Sequence, residues 1–469
     1  MPIPKPIKAV FLLSILFWIY LAFSSQVSIG ADAKAYEQLS QRIYQEGWIS
    51  FFKKGPDREP VYLFLVSISI RIADRFGLSY QKIQTFFQIL ILLITQFLTY
   101  QLLRRLKIRD SIIAATLLYL GFSPAIVNST FSLYSEIGTY PLMLGIILLS
   151  PQAWQVIHTS NYKSPIILGI TMGMLAGLMA LSRAIFEYIF LIFVLPYFYL
   201  AFKFLINKNK TSFIGSLLFL TTVLLIFNSF VIPYKCLNKI YNRHYTITDR
   251  GPFILYNGAV NRTKRMTSKS FLIALTSVPG ENVCRGLMGA KECDDRLLNF
   301  VDQAVSKGQE LMGSGVPTEE IYPTMTQLAL KEIRKNPFQY MLFNSLEGMK
   351  MLFWESTKIG FVHYPAWLNK MHSLTIFNYG LRLLMFLLTT ASLLYLMNFI
   401  FKNRRALFDL KCQDRDIVPT LFLMVWMIIL FIGFYTPTNV LTRYAFPIVP
   451  FYLATIAFGI EQKLMRHTL

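Results

Sequence analysis

Residues 212–232 read SFIGSLLFLTTVLLIFNSFVI, a stretch without one charged side chain. A helix of this length and character crosses a hydrocarbon core of roughly 30 Å. Similar apolar runs recur along the chain from residue 9 to residue 460. Of the 469 residues, 54% are apolar and only 15% are charged, which disfavours both a water-soluble multidomain enzyme and a disordered chain. We therefore predict an all-α polytopic membrane protein.

The chain is strongly basic. It has 46 lysines and arginines against 25 acidic residues, which gives a net charge of +21. In a membrane protein such an excess concentrates in cytoplasmic loops and sets the orientation. We expect the membrane surface to be its partner, and we expect no nucleic acid, because the sequence has no basic domain interleaved with aromatic residues.

Ten membrane spans are predicted. The first, residues 9–29, follows a short basic N-terminus and is interpreted as a retained signal anchor with its N-terminus inside. The other nine are residues 83–103, 111–127, 137–150, 166–182, 185–204, 212–232, 375–400, 417–436 and 444–462. With this count, the basic clusters after the second, sixth and eighth spans all fall in the cytoplasm. These cytoplasmic loops are short, so chemistry is expected on the outer side or within the membrane.

Two apolar stretches are too short or too interrupted by charge to be predicted as spans. Residues 61–70 and 338–354 are interpreted as outer juxtamembrane helices. The predicted organisation is a transmembrane module at 1–232 whose first outer loop spans about 30–82, a small extracytoplasmic domain of mixed helix and strand at 233–374, and C-terminal transmembrane helices at 375–469.

The cysteines and histidines predict a disulfide and disfavour a metal site. Cys284 and Cys293 are close in the outer domain, and an oxidising compartment would permit a bond between them. Cys236 is expected to be free, and Cys412 to be cytoplasmic. None of the five histidines has metal-ligand spacing to another, so a histidine-based metal site is not predicted.

Asp32 directly follows the first span and precedes a stretch with helical spacing of apolar side chains, formed by Tyr36, Leu39, Ile43 and Tyr44. An amphipathic helix along the membrane surface is therefore predicted. Asp32 at its start has two interpretations. One is an N-cap carboxylate, and the other is a general base held at the boundary of water and lipid.

Further charged residues fall on the predicted outer side. Glu136 opens the fourth span, where a carboxylate without a partner is costly, although a helix N-terminus would also favour it. Arg183 and Arg443 run against the inside bias of basic residues and invite an anionic partner. Lys53 and Arg58 are suited either to lipid phosphate or to anchoring at the interface. Two acids among several arginines suit transfer of a group off a phosphate, with an acid deprotonating the acceptor hydroxyl.

Four stretches share an order and spacing with known motifs: Asp32-Ala-Lys-Ala-Tyr36 with Gly47 beyond, Arg58-Glu-Pro-Val-Tyr62, Ser123-Pro124 followed by Glu136, and Arg443-Tyr444-Ala-Phe-Pro447-Ile-Val-Pro450. Together they resemble the GT-C superfamily of integral membrane glycosyltransferases. The pattern is nearest to the branch of the aminoarabinose transferases and protein O-mannosyltransferases. Residues 233–335 match nothing in that family.

The resemblance implies a polyprenyl-phosphate sugar donor and Asp32 as the catalytic base. It also implies an active site on the extracytoplasmic side of a bacterial inner membrane. Glu136 is then expected to orient the acceptor or support the base. The expected substrate-binding residues are Lys53, Arg58, Tyr62, Arg183, Arg443 and Tyr444. Some family members use a divalent metal, but the first loop has no Asp-x-Asp, which favours metal independence.

The resemblance also has a departure that concerns the acceptor. Ala33 stands where the protein mannosyltransferases have a glutamate, which weakens the expectation of a protein acceptor. The motifs specify neither the sugar nor the choice among lipid, glycan and protein acceptors.

Two other classes fit the bulk features. A lipid-linked glycan polymerase or ligase would rely on outer-loop residues such as His244, Arg250 and Arg262. A transporter or flippase would show two related halves and charges near the membrane midplane. The spans here are nearly free of charge at their centres and show no repeat.

Overall fold

The structure, a computed structural model, describes residues 2–30, 32–53, 55, 58–157, 162–263, 267–356, 362–407, 417–437 and 440–467, and it is almost entirely helical. The helices are α1 (Lys5–Ser24), α2 (Asp32–Lys53), α3 (Pro60–Phe76), α4 (Tyr80–Arg105), α5 (Asp110–Phe122), α6 (Pro124–Phe131), α7 (Thr139–Val156), α8 (Lys163–Ser182), α9 (Ile185–Phe193), α10 (Leu195–Ile206), α11 (Lys210–Asn242), α12 (Gly251–Thr263), α13 (Ser268–Ser277), α14 (Glu281–Met288), α15 (Ala290–Gly313), α16 (Thr318–Lys335), α17 (Pro337–Lys350), α18 (Ala366–Ser373), α19 (Leu381–Lys402), α20 (Ile417–Tyr435) and α21 (Val449–His467). Short 3₁₀ or π turns occupy Ser135–Gly138, Ile376–Gly380, Arg404–Leu407 and Thr442–Ile448.

Within the described residues, eight helices are long and apolar enough to cross a membrane, or nine if the bent pair α5–α6 forms one span. The pair bends by 46° at Ser123, where Pro124 removes a backbone donor. The chain is thus an all-α polytopic membrane protein. The predicted count of ten is larger because it includes the fourth span, which corresponds to α7. The hydropathy of α7 is lower than that of the candidate spans, since its last turns contain Pro151 and two glutamines. Most of α7 is buried among other helices, so it depends less on its own hydropathy.

The bundle is held by close helix packing as well as by apolar burial. Gly169, Gly173 and Gly177 form a stripe along α8 that faces α11. A Cβ added at Gly173 would lie 2.8 Å from the carbonyl oxygen of Val223 on α11. Small residues at this spacing let two helix backbones approach closely where burial from water cannot drive association.

Residues 233–374 differ from the prediction in their secondary structure. Their described part is helical, apart from the two-residue strand β2 (Val362–His363), which pairs antiparallel with β1 (Gln26–Val27) outside the segment. The expectation of a mixed helix and strand domain was therefore wrong. Helices α12 to α17 instead bury several small apolar clusters separate from the main bundle core.

Two local predictions about this segment can be compared with the structure. Cys284 and Cys293 are joined by a disulfide, as predicted, and it links α14 to α15. Cys236 is free and exposed on α11. Cys412 lies outside the described residues. The predicted boundary at residue 232 falls inside α11, which continues to Asn242.

The predicted basic loops gather at one end of the bundle. After α4, the Arg109 Nε atom lies 2.7 Å from the carboxylate of Glu461 near the end of α21. At the same end, Trp154 of α7 donates to the carbonyl of Leu407 after α19. Gly215 in the first turns of α11 packs against the carbonyl of Ile157 after α7. The helix order therefore places the other ends of these helices together at the opposite side of the bundle.

Candidate functional site

Five charged side chains from distant parts of the sequence meet at the opposite end of the bundle from the basic loops. We call this group the acid–arginine cluster, and its members are Asp32, Arg58, Glu136, Arg183 and Arg443. All five were predicted as site residues. Their side chains retain between 4% and 25% of their exposed area, so the cluster is largely withdrawn from solvent.

Arg443 connects the two acids. Asp32 receives Arg58 Nη2 at 2.5 Å on one carboxylate oxygen, and it contacts Arg443 Nη2 with the other. Glu136 receives Arg183 Nη1 at 2.6 Å and lies 3.8 Å from Arg443 Nε. That Nε atom is buried and makes no hydrogen bond in the described part of the chain. Both oxygens of Asp32 and one oxygen of Glu136 thus contact arginines, while Arg443 keeps one donor for a further partner.

The local sequence explains how α2 and α3 deliver two of these residues. Asp32 begins α2, whose buried face is formed by Tyr36, Leu39 and Ile43, as the spacing predicted. Arg58 stands two residues before α3, which starts at Pro60, a residue whose fixed φ suits a first helical turn. Among the described contacts, both carboxylate oxygens of Asp32 engage arginines rather than the amides of its own helix. The N-cap interpretation therefore does not account for the position of this side chain.

The other three members sit at helix breaks. Glu136 belongs to the 3₁₀ turn before α7. Arg183 ends α8 in an extended conformation with φ −153° and ψ 116°, which separates α8 from α9. Glu59 accepts a hydrogen bond of 3.1 Å from the backbone of Ala184 and so ties this break to the start of α3. Arg443 lies in the 3₁₀ stretch that precedes α21.

Aromatic rings line the arginines. The Arg58 guanidinium carbon lies 4.9 Å from the ring centre of Tyr36, and that of Arg443 lies 4.4 Å from the ring centre of Tyr134. Tyr444 faces both Arg183 at 5.1 Å and Arg443 at 5.7 Å. Cations over aromatic faces at these distances are stabilised, more so when desolvated. Tyr444 was predicted as a site residue, whereas the rings of Tyr36 and Tyr134 were not.

The remaining predicted residues are placed less directly. Tyr62 is buried behind the cluster, where its ring meets that of Tyr36 edge-on at 5.1 Å and its hydroxyl accepts from Gln88. Lys53 is exposed at the far end of α2 from Asp32, beyond a kink at Gly47, where φ is +79°. The structure therefore does not bring Lys53 to the cluster.

Electrostatics keep both acids ionised. Burial alone would raise the pKa of Asp32, but Arg58 and Arg443 outweigh it and hold the pKa of that carboxyl well below its usual range. Burial likewise disfavours charge on Glu136, yet Arg183 and Arg443 lower its pKa below the ordinary value. Burial raises the pKa of Tyr36 to about 12, so its hydroxyl stays protonated and can bond to Ser135 at 2.9 Å.

A further buried acid, Glu355, was not singled out in the sequence. Glu355 is 1% exposed and accepts hydrogen bonds from the hydroxyls of Tyr119 at 2.5 Å and Ser123 at 2.8 Å. It also accepts from the backbone of Ala125 at 2.9 Å. These contacts fasten the bend between α5 and α6 to the loop after α17. The signal was an acid directly after the aromatic pair Phe353-Trp354, which ends the stretch interpreted as an interfacial helix.

The structure describes different surroundings for the three residues that a polymerase or ligase would use. Arg262 is 2% exposed and donates to the side chain of Asn344 and the backbone of Thr436, each at 2.5 Å. His244 packs against the ring of Tyr322, and Arg250 is exposed. Arg262 thus joins α12 to the end of α20 and is a packing residue.

The described residues contain no group of three or more histidine, cysteine or acidic side chains arranged to hold a metal ion. A polar cleft of about 430 Å³ lies beside α2, and its lining includes Gln41, Tyr44, Asp74 and Tyr80. This cleft does not contain the acid–arginine cluster.

The fold and this cluster define a class, a polytopic helical membrane protein with a buried set of acids and arginines at one end of its bundle. The chain matches no protein-family model, and no curated protein is similar to it.

Proposed function

We propose that this protein is a membrane glycosyltransferase of the GT-C type, which moves a sugar from a polyprenyl-phosphate carrier to an acceptor hydroxyl. The observation that carries the proposal is the bridging of Asp32 and Glu136 by Arg443. Such an arrangement offers a carboxylate base and phosphate-binding cations at one point.

The distribution of charge supports an extracytoplasmic site. The basic loops lie at the end of the bundle marked by the Arg109–Glu461 pair, and the acid–arginine cluster lies at the other end. Basic loops remain in the cytoplasm during insertion. We therefore propose that the cluster faces outward from a bacterial inner membrane, with a lipid or glycan as acceptor.

The donor enters between helices, and its phosphate takes the place of Asp32 on Arg58 and Arg443. The buried Nε of Arg443 supplies an additional donor to a phosphate oxygen. Losing its two cationic partners raises the pKa of Asp32 from its depressed value, which turns an inert carboxylate into a usable base. Donor binding and activation of the base are thus one event.

In the transfer step, Asp32 accepts the proton of the acceptor hydroxyl while its oxygen bonds to the anomeric carbon. The bond between that carbon and the phosphate oxygen breaks, and the electron pair leaves with the polyprenyl phosphate. Arginines stabilise the charge that develops there. A single displacement of this kind inverts the anomeric centre. Glu136, held by Arg183 at 2.6 Å, positions Arg443.

The test is a transfer assay. Purified protein is incubated with radiolabelled polyprenyl-phosphate sugars and membrane extract, and the label is followed into a new product. Asp32→Asn should abolish transfer, whereas Asp110→Asn should not, because Asp110 pairs with Arg104 at the opposite end of the bundle. Wild-type protein that transfers no label from any such donor would contradict the proposal.

The same assay separates the rival enzyme class. A polymerase or ligase would lose activity in His244→Ala and Arg250→Gln, while Asp32→Asn would stay active. The proposed mechanism requires the reverse ranking.

Orientation has an independent test in Cys236, which is exposed and adjoins Lys235, the partner of Glu187 at the start of α9. In a Cys412→Ser background, a membrane-impermeant maleimide should label Cys236 in intact cells. Labelling that requires permeabilised cells would place the cluster in the cytoplasm.

A further inference from the structure

Arg382, the second residue of α19, differs from the arginines of the cluster in making no salt bridge with a described residue, although Glu355 and Glu281 act on it at longer range. Its Nε donates to the carbonyl of Phe353 at 3.1 Å, and its Nη2 donates to the hydroxyl of Thr442 at 3.0 Å. Both acceptors are neutral. No carboxylate of the described residues lies within 4.0 Å of it, and its Nη1 makes no hydrogen bond there. The side chain is half-buried, so this positive charge is less solvated than on an open surface, and no salt bridge within the described chain compensates for that.

The position of Arg382 connects lipid with the cluster. It lies near the start of the apolar segment Ile376–Lys402, which is the least buried of the eight candidate spans. Its neighbours Leu383 and Leu384 are both more than half exposed, as suits side chains that face lipid tails. On its other side, Thr442 is followed directly by Arg443 of the cluster.

Gly280 lies beside the guanidinium group of Arg382. A Cβ added at Gly280 would lie 2.6 Å from Arg382 Nη1, so this guanidinium rests against bare backbone of the segment between α13 and α14. An ionisable side chain that lies at a membrane boundary and makes no salt bridge is a candidate functional residue.

We propose that Arg382 is the capture site for the phosphate of the carrier lipid, which it passes to Arg443. The inference rests on the proposed function and deepens it. Arg58 and Arg443 both pair with Asp32 in the ligand-free protein, so an anion that reaches them must displace that carboxylate. Arg382 makes no salt bridge to a described residue that would have to be broken, and it stands where a headgroup would lie if the prenyl chain ran along α19. A planar guanidinium can bind the phosphate with two parallel hydrogen bonds while Thr442 holds its orientation.

The experiment measures binding without transfer. The full chain is placed in nanodiscs of phosphatidylcholine, and binding of a sugar-free polyprenyl phosphate is titrated. Arg382→Gln should weaken the apparent affinity by about tenfold or more, as expected for loss of a charged hydrogen-bond donor. Arg382→Lys should recover part of it. Arg404→Gln, an exposed arginine beyond the other end of the same helix, should bind as wild type.

Two further ligands identify the source of the phosphate. Inorganic phosphate and phosphatidylglycerol should bind more weakly than polyprenyl phosphate and should not distinguish wild type from Arg382→Gln. Equal binding of polyprenyl phosphate by both proteins would overturn the inference. Equal dependence of phosphatidylglycerol binding on Arg382 would also overturn it, because the site would then be one for bulk anionic lipid.

Kinetics separate this inference from the proposed function. In the transfer assay, Arg382→Gln should raise the donor KM with little change in kcat. If KM is unchanged while Asp32→Asn is inactive, only the capture role fails. If binding depends on Arg382 and no sugar is ever transferred, the proposed glycosyltransferase activity fails instead.

Discussion

Among the described residues, Asp32 and Glu355 belong to two acidic sites that stabilise a carboxyl group in different ways. In the acid–arginine cluster, Asp32 is paired with two guanidinium groups. Their charge lowers the pKa of Asp32 by more than burial raises it. At the bend between α5 and α6, Glu355 is surrounded by neutral hydroxyl and amide donors, and burial dominates, so the pKa of Glu355 is raised despite its hydrogen bonds. One acid is kept ionised, and the other is pushed toward its neutral form.

The difference indicates different uses. An anionic ligand can displace a carboxylate from the two cations that hold it. The pKa of the carboxyl group then rises. A carboxylate held by four neutral donors from its surroundings has nothing to exchange, and it fixes the backbone that supplies those donors. We therefore assign chemistry to Asp32 and a structural role to Glu355.

The largest expected effect is on catalysis. Asp32→Asn keeps the shape of the side chain and removes its basicity, so transfer should fall by about 10²–10⁴-fold, the range typical of general-base loss. Glu355→Gln should keep activity within about tenfold, since it alters no reacting group. Transfer rates of the two purified variants, compared at equal folded protein, test the contrast. An inactive Glu355→Gln that is folded normally would place Glu355 in the chemistry.

The second effect concerns the stability of the acid–arginine cluster. Arg443→Gln removes the cation shared by Asp32 and Glu136 and leaves both acids underpaired, which should cost about 3–5 kcal/mol. Thermal unfolding in detergent measures this loss. The double variant Asp32→Asn/Arg443→Gln should be more stable than Arg443→Gln alone, because one unpaired charge is gone. Additive losses would show that the pairing is not coupled.

A smaller loss is expected at the other acid. Glu355→Ala leaves the buried donors of Tyr119, Ser123 and Ala125 without an acceptor, at a cost of about 3 kcal/mol. Glu355→Gln should lose clearly less, because its amide oxygen still accepts. Melting temperatures of the two variants provide the measurement, and equal losses would count against the assigned hydrogen bonds.

The smallest effect is a difference in pH dependence. The pKa of Glu355 is raised on folding, so the folded protein holds this proton more tightly than the unfolded chain. Its contribution to stability is therefore full below the unfolded pKa of about 4.3 and declines as pH rises from there through the folded pKa. Glu355→Gln should remove this decline.

Asp32 should act in the opposite sense. Its pKa is lowered on folding, so its contribution is present above about pH 4 and is lost only as pH falls below it. Melting curves from about pH 2 to pH 8 for wild type, Asp32→Asn and Glu355→Gln distinguish the two acids. A decline that persists in Glu355→Gln would assign it to another group.

Sequence reasoning predicted the spans well because a lipid-crossing helix is marked by local composition. The predicted ranges 83–103 and 166–182 lie inside α4 and α8. It failed where the environment of a helix matters more than its composition. The helix α7, which was predicted as the fourth span, has a lower hydropathy than the candidate spans of the described chain. A helix that is surrounded mostly by protein can be less apolar than one that faces lipid. The 233–374 segment was expected to be mixed because turn signals do not tell a helical from a mixed domain.

The site shows the same division. Asp32, Glu136, Arg183 and Arg443 could be singled out because charge next to an apolar span is conspicuous. Glu355 and Arg382 were not, since each sits where a span begins or an interfacial helix ends and looks like ordinary boundary polarity. Lys53 was included for its charge alone, and the kink at Gly47 and its exposure keep it away from the cluster.

By itself, the sequence determined that this chain is a helical membrane protein. It also determined which charged residues lie near the helix ends, because both properties follow from local hydropathy and spacing. Only the tertiary structure decided that Arg443 lies between two acids more than 300 residues earlier in the chain, and that Arg382 makes no salt bridge with the described residues. Pairing of charges depends on which helix ends become neighbours, and no local pattern encodes that.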